Sequence, residues 1–66
     1  MNDPEVGIQL NLLKMGASEH AAISWMAAWK REAERQGLEV DADYWKSGWR
    51  WINEQIQAGR KPKDID

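Results

Sequence analysis

Four of the five tryptophans stand in two pairs with four-residue spacing, Trp25 with Trp29 and Trp45 with Trp49. About one helical turn separates such residues, so each pair lies on one face of an α-helix. The chain has 66 residues and no cysteine, so disulfides and thiolate metal sites cannot stabilise it. We expect the stability to come from helix packing, in which indole pairs add about 0.5–1.5 kcal/mol beyond the area they bury.

Capping residues and glycines divide the chain into three helical segments. The N-cap candidates are Asp3, Ser18 and Asp41, and the helix stops are Gly16, Gly37 and Gly59. We predict an all-α fold built on a Trp-rich antiparallel helical hairpin, about 19–36 and 42–58, with a short N-terminal helix, about 4–15. Residues 1–59 would form one domain, and the polar residues 60–66 a flexible C-terminal tail.

The second and third helices each show one apolar stripe at the spacing of a buried face. The stripes are Ala22, Trp25, Met26, Trp29 and Ala33 in the second helix, and Trp45, Gly48, Trp49, Ile52 and Ile56 in the third. A glycine inside a helix costs about 1 kcal/mol relative to alanine. We therefore expect Gly48 to make room for a large side chain, such as a tryptophan.

The first helix is apolar on two sides, and a domain of this size covers only one of them. Val6, Leu10 and Leu13 lie on one side, and Ile8, Leu12 and Met15 lie nearly opposite. A helix that is apolar all round must be buried all round. These residues therefore predict dimerisation with a second copy of the chain. The alternative is an irregular first helix that places both sides in one small core.

A few apolar residues fall off the main stripes. Tyr44 and Trp51 do so on the third helix, and Ile23 does so on the second. Tryptophan, tyrosine and arginine are enriched at binding hot spots. With Arg50, these residues predict a face that binds a larger protein.

No residue pattern indicates catalysis, a cofactor or a metal site. The only histidine, His20, lies one turn from Ser24, but no acid or oxyanion site accompanies them. No apolar run is long enough for a membrane span, and the acidic N-terminus is unlike a secretory signal. We expect a cytoplasmic protein that is not an enzyme and has no membrane partner.

Nucleic-acid binding is the alternative function. Residues 15–25 partly fit the turn and second helix of a helix–turn–helix motif, although the candidate recognition helix has no arginine or lysine before Lys30. A second route is a basic face with aromatic residues, formed by Lys46, Arg50, Arg60, Lys61 and Lys63 beside Trp49 and Trp51. Nine basic and eleven acidic residues give a net charge of −2, which is unlike a dedicated nucleic-acid binder.

The sequence thus predicts a small protein–protein interaction module that forms a homodimer and inhibits or adapts a larger protein. The short, self-contained chain is typical of accessory proteins of phages and mobile elements.

Overall fold

The computed structural model describes residues 3–65. It contains three α-helices, Pro4–Lys14 (α1), Glu19–Gln36 (α2) and Ala42–Gln57 (α3), and a short 3-10 helix at Pro62–Asp64. No strand occurs within this described range. The predicted all-α fold is confirmed, with α1 and α3 each ending one residue earlier than predicted.

The helices begin where the sequence predicts, because all three N-cap candidates make their hydrogen bonds. The side chains of Asp3, Ser18 and Asp41 each accept a backbone N–H from two or three residues later, at 2.9–3.0 Å. These bonds satisfy donors that have no partner within the helix. At the end of α2, the predicted stop Gly37 adopts φ 70° and the N–H of Leu38 donates to the carbonyl of Ala33 at 2.9 Å, which completes a Schellman turn.

An aromatic cluster joins α2 to α3. The ring of Trp29 stacks on Tyr44, with centroids 4.0 Å apart and planes at 12°, and lies 5.0 Å from Trp51. Trp25 meets the edge of Trp51 at 6.3 Å. Later residues of α3 therefore pair with earlier residues of α2, which is the order of an antiparallel hairpin.

The α3 members of this cluster differ from the prediction, which placed Trp45 and Trp49 against the tryptophans of α2. Trp45 is buried elsewhere, with the ammonium of Lys30 5.7 Å from its ring centroid, and Trp49 is only half-buried. The reason is that α1 packs against both α2 and α3. Helix α3 must therefore bury an arc that is wider than one stripe.

Gly48 lies where three helices approach one another. A β-carbon at this position would lie 2.6 Å from Nε1 of Trp29 and 3.0 Å from Cδ1 of Ile8. Both distances are shorter than an ordinary van der Waals contact. The prediction that Gly48 makes room for a tryptophan is confirmed, and the same space admits the side chain of Ile8 from α1.

The sequence predicts a flexible tail, and the structure places the described tail residues against α2. Ile65 is buried, and Nη2 of Arg31 donates to the carbonyls of Pro62 and Ile65 at 3.2 Å each. The N–H of Lys61 donates to the Asp64 carboxylate at 2.9 Å. One apolar side chain and one arginine thus hold a segment whose composition is otherwise that of an exposed tail.

One carboxylate is buried beside this core. Glu32 accepts hydrogen bonds from Arg35, with Nε at 3.0 Å, and from Nε2 of Gln36 at 2.7 Å. The hydrogen bonds from Arg35 hold the pKa of Glu32 below its usual value, against the opposing effect of desolvation.

Candidate interaction surfaces

The predicted partner-binding face on α3 does not form an exposed surface. Tyr44 is only 9% exposed, and Trp51 is half-buried against Trp25 and Trp29. The predicted exposure of Tyr44 is therefore wrong. Tyr44, Gly48 and Trp51 follow i, i+4, i+7 spacing, and this stripe faces α2.

Tyr44 and Trp29 are locked together by two reciprocal hydrogen bonds. The Tyr44 hydroxyl donates to the Trp29 carbonyl at 2.6 Å, and Nε1 of Trp29 donates to the Tyr44 carbonyl at 3.1 Å. Desolvation, with a contribution from the charge of Glu32, raises the pKa of Tyr44 to about 12. A phenol held in this way is a structural group and is not available to a partner.

The other two residues of the predicted face are exposed but lie on different helices. Arg50 projects from α3. Ile23 is exposed on α2 and lines a small cavity with Glu5 and Gln9 of α1. The four residues do not form one surface.

The two sides of α1 have different environments. Ile8 and Leu12 are buried in the core, so the prediction that they take part in dimerisation is wrong. Val6, Leu10 and Leu13 are exposed, with Leu10 at 52%. Their i, i+4, i+7 spacing places them on one stripe, which we call the outer face of α1. Met15, which the sequence grouped with the inner side, is also exposed because it lies beyond the last helical residue.

A groove that the sequence analysis missed opens between the α1–α2 turn, α2, the end of α3 and the tail. It has a volume of about 870 Å³. Apolar lining comes from the turn and the helices: Leu12, Met15, Ala17, Ala21, Trp25 and Ile56. Cationic lining comes from Arg31 and from three tail residues, Arg60, Lys61 and Lys63. We call this the basic groove.

The sequence held one signal for this groove. Ile65 is apolar within a polar segment. Its burial holds the tail, which carries Lys61 and Lys63, beside α2. Hydrophobic periodicity could not reveal the groove, because the described part of the tail forms a short 3-10 turn rather than a longer helix.

The described part of the chain contains neither a metal-binding group of side chains nor a helix that could span a membrane. Between residues 3 and 65 no group of three histidine, aspartate or glutamate side chains is placed to hold a metal ion. None of the helices in that range combines the length and apolar character needed to cross a bilayer.

In comparisons with protein-family models, with curated proteins and with solved structures, the chain has no significant match. Its surfaces are therefore the guide to its function.

Proposed function

We propose that the protein is a small non-enzymatic interaction module that self-associates as a symmetric dimer through the outer face of α1. The observation that carries this proposal is the stripe of Val6, Leu10 and Leu13, which the core leaves exposed. A contiguous apolar stripe on a small domain is typical of an interaction surface.

A second copy of the chain is the partner that suits this stripe best. In a twofold dimer the same patch meets itself, so its side chains must be compatible with their own copies. The three stripe residues themselves carry no charge, so their side chains can pack against their own copies. Ile23 is a further exposed apolar residue, on α2 beside Glu5 and Gln9 of α1.

The size of the stripe sets the expected affinity. Stable interfaces bury roughly 800 Å² on each partner, and the accessible surface of this molecule is 4681 Å². Three half-exposed side chains and Ile23 contribute less than that area. We therefore expect a reversible dimer with a dissociation constant in the micromolar range.

The burial of Tyr44 removes the main support for docking of a larger protein on α3. Nucleic-acid binding through the start of α2 has little support as well, because the first turn of that helix exposes Glu19 and no lysine or arginine.

Sedimentation equilibrium across low micromolar to millimolar concentration tests the dimer. We expect a concentration-dependent dimer in the wild type and a monomer in Leu10→Glu, because a twofold interface would bury two carboxylates. Leu38→Glu is the matched control, since Leu38 is the same residue type, is 50% exposed and lies in the α2–α3 loop. A monomeric wild type at millimolar concentration, or equal loss in both variants, would contradict the proposal.

A further inference from the structure

The basic groove concentrates positive charge in a molecule that is acidic overall. It takes four of the nine lysine and arginine side chains of a chain with net charge −2. No aspartate or glutamate lines it among the described residues. Asp64, the nearest acid along the tail, binds the N–H of Lys61 and lines a separate cavity beside Glu32.

The charge and the apolar surface occupy different parts of the groove. The cations belong to the tail and to Arg31, which hydrogen-bonds to the tail carbonyls. The α1–α2 turn and the first turns of α2 contribute Met15, Ala17 and Ala21, together with the polar side chains of His20 and Ser24. A ligand that matches this arrangement has an apolar body and an anionic end.

We propose that the basic groove binds an anionic amphiphile, a single alkyl chain that ends in a carboxylate, as in a free fatty acid. Its volume of about 870 Å³ lies in the range of small-molecule sites. The carboxylate lies at the tail, where Lys61 and Lys63 offer charge-assisted hydrogen bonds. The alkyl chain lies towards the α1–α2 turn. This site is independent of the outer face of α1.

Three probes with the same twelve-carbon chain test the charge selectivity: dodecanoate, dodecanol and dodecyltrimethylammonium. Each is titrated below its micelle concentration, or its solubility limit, into ¹⁵N-labelled protein while amide and indole resonances are followed. We expect dodecanoate to shift the Ala17, Ala21 and Ser24 amides and the Trp25 indole, with at least tenfold higher affinity than the other two probes. No binding, or equal affinity for all three, would overturn the proposal.

A triple variant tests the role of the tail cations. Arg60→Gln/Lys61→Gln/Lys63→Gln removes three exposed charges from the tail side of the groove. We expect dodecanoate affinity to fall about tenfold. The control, Lys14→Gln/Lys46→Gln/Arg50→Gln, makes the same charge change on exposed residues outside the groove. An equal fall in both variants would mean bulk electrostatics and would overturn the proposal.

Two more measurements complete the test. The circular dichroism spectrum of each variant should retain the helix content of the wild type, so that lost binding is not mistaken for lost folding. A single-stranded oligothymidylate is titrated in parallel, because nucleic acid would also seek these cations. If it shifted the groove resonances at lower concentration than dodecanoate, the groove would be a phosphate-backbone site and the proposal would be wrong.

Discussion

The inner and outer faces of α1 are similar in sequence and opposite in environment. Ile8 and Leu12 lie in the core, whereas Val6, Leu10 and Leu13 are exposed to solvent. Each face is aliphatic, so hydropathy alone does not separate them. The difference arises because α1 packs against both α2 and α3 with its inner face only. An apolar helix face is therefore a core only where neighbouring helices supply a surface of matching shape.

Leu12→Ala is the largest test of this comparison. Leu12 is fully buried, so truncation removes apolar burial and leaves a cavity. We expect the free energy of unfolding to fall by about 2–5 kcal/mol, measured by urea denaturation at low micromolar protein concentration.

Leu10→Ala is the matched variant on the outer face. There the free energy of unfolding should change by no more than about 0.5 kcal/mol. Equal losses for the two leucines would mean that the outer face is also part of the core of the monomer.

The two glycines inside helices sharpen the comparison at the next level of effect. Gly48→Ala should destabilise the protein by about 1–3 kcal/mol, because its β-carbon would press on Trp29 and Ile8. The indole cannot easily move, since its Nε1 is bound to the Tyr44 carbonyl.

Gly7→Ala is the control in α1, where a β-carbon would meet nothing within 4 Å. We expect it to raise stability by about 0.5–1 kcal/mol through helix propensity, as a higher thermal midpoint. A stabilising Gly48→Ala would refute the close packing of α1 against α3.

The remaining test concerns pH and the buried phenol. Because the pKa of Tyr44 is raised from 10.0 to about 12, the folded state disfavours the phenolate. The stability that Tyr44 contributes is thus fully present below pH 10 and is lost as the pH rises from 10 towards 12. Denaturation between pH 8 and pH 11 should show this decline.

Tyr44→Phe should cost about 0.5–1.5 kcal/mol at neutral pH, because the hydrogen bond to the Trp29 carbonyl is lost. The same variant should flatten the alkaline decline. A decline that is unchanged in Tyr44→Phe would assign the pH effect to another group.

The sequence predicts the helices well and the tertiary partners less well, for physical reasons. Caps and stops are local, so Ser18, Asp41 and Gly37 set the helix ends wherever the helices later pack. The choice of Tyr44 and Trp51 over Trp45 and Trp49 as partners of the α2 tryptophans is not local. It depends on where α1 crosses, which periodicity does not encode.

The candidate sites divide in the same way. The exposed stripe of Val6, Leu10 and Leu13 follows from helical spacing once one side of α1 is known to be buried. The basic groove could not be predicted without knowing how the tail folds. It depends on the burial of one apolar residue, Ile65, and on hydrogen bonds from Arg31 to tail carbonyls. Such contacts between distant residues leave no periodic trace in the sequence.

The reciprocal hydrogen bonds between Trp29 and Tyr44 have a consequence for the loop that joins α2 to α3. Both acceptors are backbone carbonyls, and both bonds lie outside the loop. The register of the hairpin is therefore set on the helices themselves, and residues 39–40 span the gap between the Schellman turn at Leu38 and the N-cap at Asp41. Lengthening a flexible loop costs only about 0.6 kcal/mol for each doubling. This loop is thus the natural place to insert a tag, a fluorophore or a second binding module while the outer face of α1 and the basic groove stay intact.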